Sequence, residues 1–216
     1  MRDIPMFPTD HGVASLALAQ IPYRREAYIT LQSARPGEVA ALVGECAAFC
    51  RMAGAEKIYA RGEGLEAFPL HTALWKMRGT AWVDREKLES LFPVTSATAP
   101  RWREVYNQRM AGVDLAAHLE EREEARLLTG AYFVHHQGTL LGIGWLEDTR
   151  LLAMAAAIPG AGERVMHSLM SLVEGADMTL EVASTNTRAL TLYRRLGFLV
   201  TEEKERWHEV GESYEI

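Results

Sequence analysis

Residues 179–200 read TLEVASTNTRALTLYRRLGFLV, and this stretch decides the fold. Leu180 and Val182 alternate as one face of a strand. Asn186 or Thr185 then caps a helix whose Ala189, Leu190, Tyr193 and Leu196 recur at helical spacing and face inward. Gly197 suits the left-handed position that ends such a helix, and Arg194 and Arg195 stand in its last turn, where cations complement the helix dipole. A further strand begins at Phe198.

Toward the N-terminus, this unit is preceded by a helix to about Glu174, a loop at Pro159 to Gly162, and Leu151 to Ala157, a continuous apolar run suited to a central strand. Tyr132 to His135 and Thr139 to Trp145 flank a turn at Gln137 and Gly138 and predict a hairpin. Thr98 can cap a helix with Pro100 in its first turn and Trp102, Val105, Tyr106, Arg109 and Met110 on one side. Gly112 closes it, and Asp114 can cap a second helix to about Leu127, whose Glu120, Glu121, Glu123 and Glu124 read as a solvated face.

Earlier still, the pattern predicts a strand at Ala27 to Ala34, a helix at Glu38 to Ala53 ended by Gly54, a strand at Glu56 to Ala60, and a short helix at Phe68 to Arg78 stopped by Gly79. Laid against each other, the two halves show an internal repeat. Pro36, Gly37, a helix, Gly54, a strand and Leu74 to Gly79 run parallel to Pro159, Gly160, a helix, Gly175, a strand and Leu192 to Gly197. Ser96 to Pro100 is the clearest punctuation in mid-chain, after the charged stretch Asp84 to Glu89. The expected division is residues 1–89 and 90–216.

The 216 residues are 48% apolar and 24% charged, ordinary globular proportions that exclude a disordered or collagenous chain. With 23 Lys+Arg against 29 Asp+Glu the formal charge is -6, which argues against general binding to nucleic acid or anionic membranes, since both need a net basic face. No window approaches a membrane span, and the apolar stretch Gly12 to Ile21 is short and lacks a basic leader, so neither a span nor a secretory signal is expected. Cys46 and Cys50 fall on the apolar face of their helix and read as buried thiols in a reducing compartment, most simply the cytoplasm. They find no further soft ligands nearby, so no metal site is expected.

The order of strand, Asn, Ala, Leu-Tyr and Gly-Phe resembles the C-terminal signature of the GNAT superfamily of N-acetyltransferases, roughly L-x-V, N-x-x-A, L-Y and G-F. Leu180, Val182, Asn186, Ala189, Leu192, Tyr193, Gly197 and Phe198 match it. From about Leu91 the elements also follow the family plan, so the resemblance covers roughly residues 90 to 210. It implies an α/β fold with a mixed sheet flanked by helices, preceded here by a smaller partial repeat of the same fold. It also implies transfer of an acetyl group from acetyl-coenzyme A to an amine by direct attack, in a cleft where two neighbouring parallel strands splay apart.

By the resemblance, Tyr193 is the acid that protonates the departing thiolate; a phenol with a reference pKa near 10 keeps its proton at neutral pH and can donate it to a thiolate of comparable basicity. The corresponding position in the first half is Trp75, whose indole N–H is no replacement acid, so that half is assigned no catalysis. The family's pyrophosphate loop, Q/R-x-x-G-x-G/A, is matched only in part by Ile158-Pro159-Gly160-Ala161-Gly162-Glu163-Arg164. Gly160 and Gly162 fit the small positions, but Ala157 stands where Gln or Arg is expected. Amides from Gly160 to Arg164 would hold pyrophosphate at a helix N-terminus, with Arg164 adding charge and Glu163 repelling unless turned outward. Ala156, Ala157 and Ile158 would offer backbone groups to the pantetheine arm, and Asn186 would support the coenzyme side.

The attacking amine must be neutral, so a base is required. The central strand carries no acid, which leaves Glu147 and Asp148 before it, His135 and His136 on the hairpin, and Glu181 as candidates, with Glu147 preferred. Alternation puts His135 and His136 on opposite faces, poorly placed as joint metal ligands. The expected acceptor is a small amine or a peptide amino group, and the expected state monomer or homodimer. The alternative is a non-catalytic acyl-coenzyme A sensor or interaction module on the same fold.

Overall fold

The computed structural model describes residues 3–211. Internal contacts divide the chain into two units, Met1–Ala73 with Lys204–Ile216, and Leu74–Glu203. The first begins with β1 (Ile4–Thr9) and β2 (Gly12–Ala17), an antiparallel pair. The turn α1 (Ile21–Arg24) leads to β3 (Glu26–Ala34), then α2 (Val39–Met52) and β4 (Lys57–Arg61). β3 is antiparallel to β2 and parallel to β4, paired without a break from Glu26/Lys57 to Thr30/Arg61. Leu42, Val43, Cys46, Ala47 and Cys50 recur on one face of α2 and bury against Ala14, Leu16, Ile29 and Ile58. Both thiols are free and buried, and burial pushes Cys46 up to about 12 and Cys50 to about 11, which keeps them protonated and inert.

The chain passes into the second unit along β5 (Leu70–Thr80). There follow β6 (Ser90–Pro93), α3 (Ala99–Met110), the short α4 (Glu124–Leu127), and the antiparallel meander β7 (Ala131–His136), β8 (Thr139–Glu147) and β9 (Arg150–Ala156). Then come α5 (Gly162–Met170), β10 (Asp177–Ala183), α6 (Thr187–Arg195) and β11 (Leu199–Glu209), whose last residues pair with β4 at Ala60/His208 and belong to the first unit. The sheet of the second unit runs β5-β10-β9-β8-β7-β6, antiparallel except for β9 and β10.

Helices cover both faces of this sheet. α3 packs through Trp102, Val105 and Tyr106 on Phe133, Ile143, Trp145 and Ala155, while α5 and α6 bury Val165, Leu169, Leu190 and Tyr193 with Leu146, Leu151 and Leu180. α5 lies on the backbone of β8: a Cβ at Gly144 would stand 2.2 Å from a Leu169 methyl, and one at Gly142 2.7 Å from a Val165 methyl. Glycine at both positions allows this approach, which fixes where the N-terminus of α5 points.

Several expectations need correction. Phe68–Arg78 is not a helix: Leu74–Thr80 pairs antiparallel with Ala183–Asp177 in strand β5. Its alternating Trp75, Met77 against Lys76, Arg78 fits the sheet, and cross-strand pairing overrides the apolar spacing read as helical. Leu74–Gly79 therefore does not correspond in structure to the helical Leu192–Gly197. That pairing joins Leu74–Thr80 to β10 within the second unit. Asp114 starts no helix; its carboxylate instead accepts a 2.6 Å hydrogen bond from the Thr185 hydroxyl, and helix resumes only at a 3-10 turn, Glu121–Glu123, and α4. Glu124 is not solvated but bound to Arg103 at 2.7 Å. β1 and β2 were not foreseen.

Candidate acyl-transfer site

β9 and β10 pair only at Arg150/Thr179 and Leu151/Leu180. Beyond that point β9 carries an extra residue, Leu152, because Leu151 opposes Leu146 while Ala153 opposes Trp145. The bulge resets which backbone groups face which neighbour. Ala157 N–H donates to the Leu141 carbonyl at 2.7 Å, so by alternation Ala155 and Ala153 face β8, and Met154 and Ala156 turn their N–H and C=O toward the edge that β10 has left. A cavity of about 660 Å³ opens there, lined by Met154, Ala156, Ile158, Gly160, Gly162, Glu163, Asn186 and Tyr193, among others.

Among the described residues, then, the fold brings most of the expected set together. Asn186 caps α6, its side-chain oxygen accepting from Ala189 N–H at 3.1 Å. Two turns further on, Tyr193 is 7% exposed, and burial alone pushes its phenol up from 10 to about 12. Gly160 sits at φ +83, and α5 starts two residues later; the Gly162, Glu163 and Arg164 amides form its first turn, where N–H groups lack intrahelical partners. A Cβ at Gly162 would stand 3.3 Å from a Leu192 methyl on α6, so the start of α5 lies close against α6.

Four expected residues behave differently. Ala157 has no backbone group to offer, since its N–H goes to Leu141 and its carbonyl accepts from the Arg109 guanidinium. Ala161 is buried in the core and holds the helix start through its carbonyl, which accepts from Val165 N–H. Arg164 turns away to form an ion pair with Glu89, which His136 also contacts at 2.9 Å. Glu147 pairs across the turn with Arg150, at the opposite end of β9 from the cavity and about 20 Å along the strand from Ala156. Asp148 shares that turn, Glu181 meets Arg150 at 3.1 Å, and His135 packs on Phe92 and Phe133; none of them lines the cavity.

Glu163 is held from two sides, by Lys87 Nζ at 2.6 Å and by Arg195 at 3.1 Å. The Lys87 hydrogen bond holds the Glu163 carboxyl below the usual carboxylate range and raises Lys87 in return. Behind them His167 is fully buried, its Nδ1 accepting from Asp84 N–H at 3.3 Å, and burial lowers it, so it adds no charge near pH 7. The charged lining of the cavity is Arg109, Arg188 and Arg195 against Glu163, a balance that favours an anionic ligand. The sequence reading gave no ligand role to Lys87, Arg109, Arg188 or Arg195: their convergence comes from packing, and no local motif marks it. Among the described residues no cluster of His, Cys, Asp and Glu suits a metal, and no helix is long and apolar enough to cross a membrane.

No family model and no curated protein matches this sequence. Solved structures do. A GCN5-related N-acetyltransferase from Anabaena variabilis matches with a TM-score of 0.57 at 10% identity, over 91% of this chain and 59% of that one. One from Kribbella flavida matches at 0.53 and 12% identity, over 94% and 58%, and one from Sphaerobacter thermophilus at 0.51 and 12%, over 91% and 75%. The chain has the GNAT fold, a mixed α/β sheet flanked by helices. At these identities the fold is what is shared.

Proposed function

We propose that the second unit binds acetyl-coenzyme A and transfers its acetyl group to a primary amine of a small molecule or peptide. The observation that carries this reading is the divergence of β9 from β10 into a cavity with the N-terminus of α5 at one end and the Tyr193 ring in its wall. The residues present suit the coenzyme: Met154 and Ala156 offer strand-edge amides and carbonyls to an amide-containing arm, and the first-turn amides of α5 with Arg195 suit phosphate. Bound acetyl-coenzyme A supplies an activated acyl carbon and a thiolate as leaving group. Tyr193, kept neutral by burial, holds a proton on its hydroxyl that it can give to the sulfur.

The first unit repeats an order of meander, helix and parallel strand, β1-β2-β3-α2-β4, that matches β7-β8-β9-α5-β10. Gly37 and Gly160 before the helices, and Gly54 and Gly175 after them, all have positive φ, between 77° and 99°. This supports a partial, non-catalytic copy of the fold in the first half.

A second reading, an acyl-coenzyme A-binding module without transfer, is favoured by one observation. The carboxylate that lines the cavity, Glu163, is engaged with Lys87 and Arg195 and is not free to take the amine's proton. The test is the thermal midpoint with acetyl-coenzyme A, coenzyme A and ATP. Ligand at about 100 times its Kd adds about 2.7 kcal/mol and raises the midpoint by about 5–10 °C. A rise with both coenzymes and not with ATP supports the site, and thiol release with an amine panel then separates transfer from binding alone. No shift at millimolar coenzyme overturns both readings.

A further inference from the structure

Glu163 is out of place for a cavity that takes a diphosphate. It stands in the first turn of α5, and each of its two carboxylate oxygens holds a cation: Oε1 meets Lys87 Nζ at 2.6 Å, and Oε2 meets Arg195 at 3.1 Å. Lys87 keeps a second partner, Asp84, at 3.3 Å, whereas Glu163 is the ion-pair partner of Arg195 among the described residues. The Glu163 side chain is 30% exposed, so it is neither sealed in the core nor free in solvent. Arg164, the next cation on α5, is removed from the cavity by its pair with Glu89.

We propose that Glu163 is a built-in counter-ion of this cavity, an internal carboxylate that competes with the incoming phosphates for Arg195 and so sets the affinity for, and the release of, the anionic ligand. This rests on the coenzyme reading above and adds to it a residue that weakens binding. The physical argument is direct. A carboxylate on the first turn of a helix complements the same N–H groups and dipole that an anion would use, and it neutralises both neighbouring cations. An entering phosphate must either take Arg195 from Glu163 or lie beside a negative charge, and both cost affinity. Arg195 is the cation that exchanges, because it lines the cavity, whereas Lys87 lies outside the lining and also holds Asp84.

The experiment is calorimetric titration of the full chain with coenzyme A and, separately, with inorganic pyrophosphate, in the wild type, Glu163→Gln and Glu163→Ala. Both variants are expected to bind either ligand about tenfold more tightly, a change of about 1.4 kcal/mol, and the gain should appear as slower release of coenzyme A in stopped flow. In an Arg195→Met background, Glu163→Gln should gain distinctly less, because the cation to be freed is gone. Two variants of different shape guard against a local packing effect, and their thermal midpoints report folding. If the wild type binds and neither variant binds more tightly, the counter-ion proposal is overturned and Glu163 only positions the two cations. If no protein binds coenzyme A or pyrophosphate, the coenzyme reading fails, and this proposal fails with it.

Discussion

Tyr193→Phe separates stability from chemistry at the residue on which the acid role rests. The Tyr193 hydroxyl has no hydrogen-bond partner among the described residues, and burial is the sole cause of its raised pKa. Removing the oxygen therefore breaks no hydrogen bond to another described residue, and the folded chain should lose less than about 0.5 kcal/mol at pH 7. At high pH the variant should be the more stable protein. An unfolded tyrosine ionises near pH 10, whereas folded Tyr193 holds its proton to about 12. The stabilisation from keeping the phenol neutral is thus complete below pH 10 and is lost as pH rises from 10 to 12. At pH 11 the wild type gives up about 1.4 kcal/mol that phenylalanine retains. Cys46, Cys50 and Tyr28 are also raised by burial, but they titrate in both proteins and cancel in the comparison. The assay is urea unfolding of both proteins at pH 8 and pH 11, alongside thiol release from acetyl-coenzyme A. Turnover should fall about tenfold or more, with coenzyme affinity little changed. Equal turnover would refute the acid role. Equal stability loss at pH 11 would refute the burial of a proton-holding phenol.

Three further outcomes follow from the geometry. Gly144→Ala drives a methyl into Leu169 at 2.2 Å, and overpacking of about 1–3 kcal/mol should lower the thermal midpoint by about 3–10 °C; an unchanged midpoint would mean α5 shifts freely on β8. Asn186→Ala removes the cap on Ala189 N–H and should lower the midpoint by about 2–4 °C, read by the same melt, with Asn186→Asp restoring it. Glu147→Gln should leave turnover and its pH profile unchanged, since the residue lies at the far end of β9; a lost basic limb would return that turn to the mechanism.

The end of the chain was legible because its signals are local. Asn186, Ala189, Tyr193 and Gly197 each occupy the position that capping and helical spacing assign them, the strand before stands where alternation puts it, and a strand follows from Leu199. Leu70–Thr80 was not legible, because a strand in the interior of a sheet shares its apolar residues with a short helix, and only the pairing with β10 tells them apart. The loop was half legible. Gly160 and Gly162 declare a backbone conformation and a close packing, whereas Lys87 and Arg195 on Glu163, Glu89 on Arg164 and Arg109 on Ala157 come from 32 to 76 positions away and leave no mark in the local sequence. The residue expected as the base stands outside the cavity for a related reason. Glu147 is adjacent to the central strand in sequence, but a strand has two ends, and the cavity is at the other one.

The two parallel strand pairs of this chain show what a cleft requires beyond the meander and helix they share. β3 and β4 stay in register from Glu26/Lys57 to Thr30/Arg61, so the backbone edge that a ligand would use is already consumed by the neighbouring strand. β9 and β10 part after Leu151/Leu180, and the extra Leu152 turns the next amides outward to an unfilled edge. The chain after each pair differs as well. After β10 comes α6, which contributes Asn186, Tyr193 and Arg195 to the cavity wall; after β4 no helix intervenes, and Leu65 and Phe68 bury themselves in the core beside α2 instead. A cavity thus needs both a strand that lets go of its neighbour and a helix that returns over the gap. The second unit has both, and the first has neither.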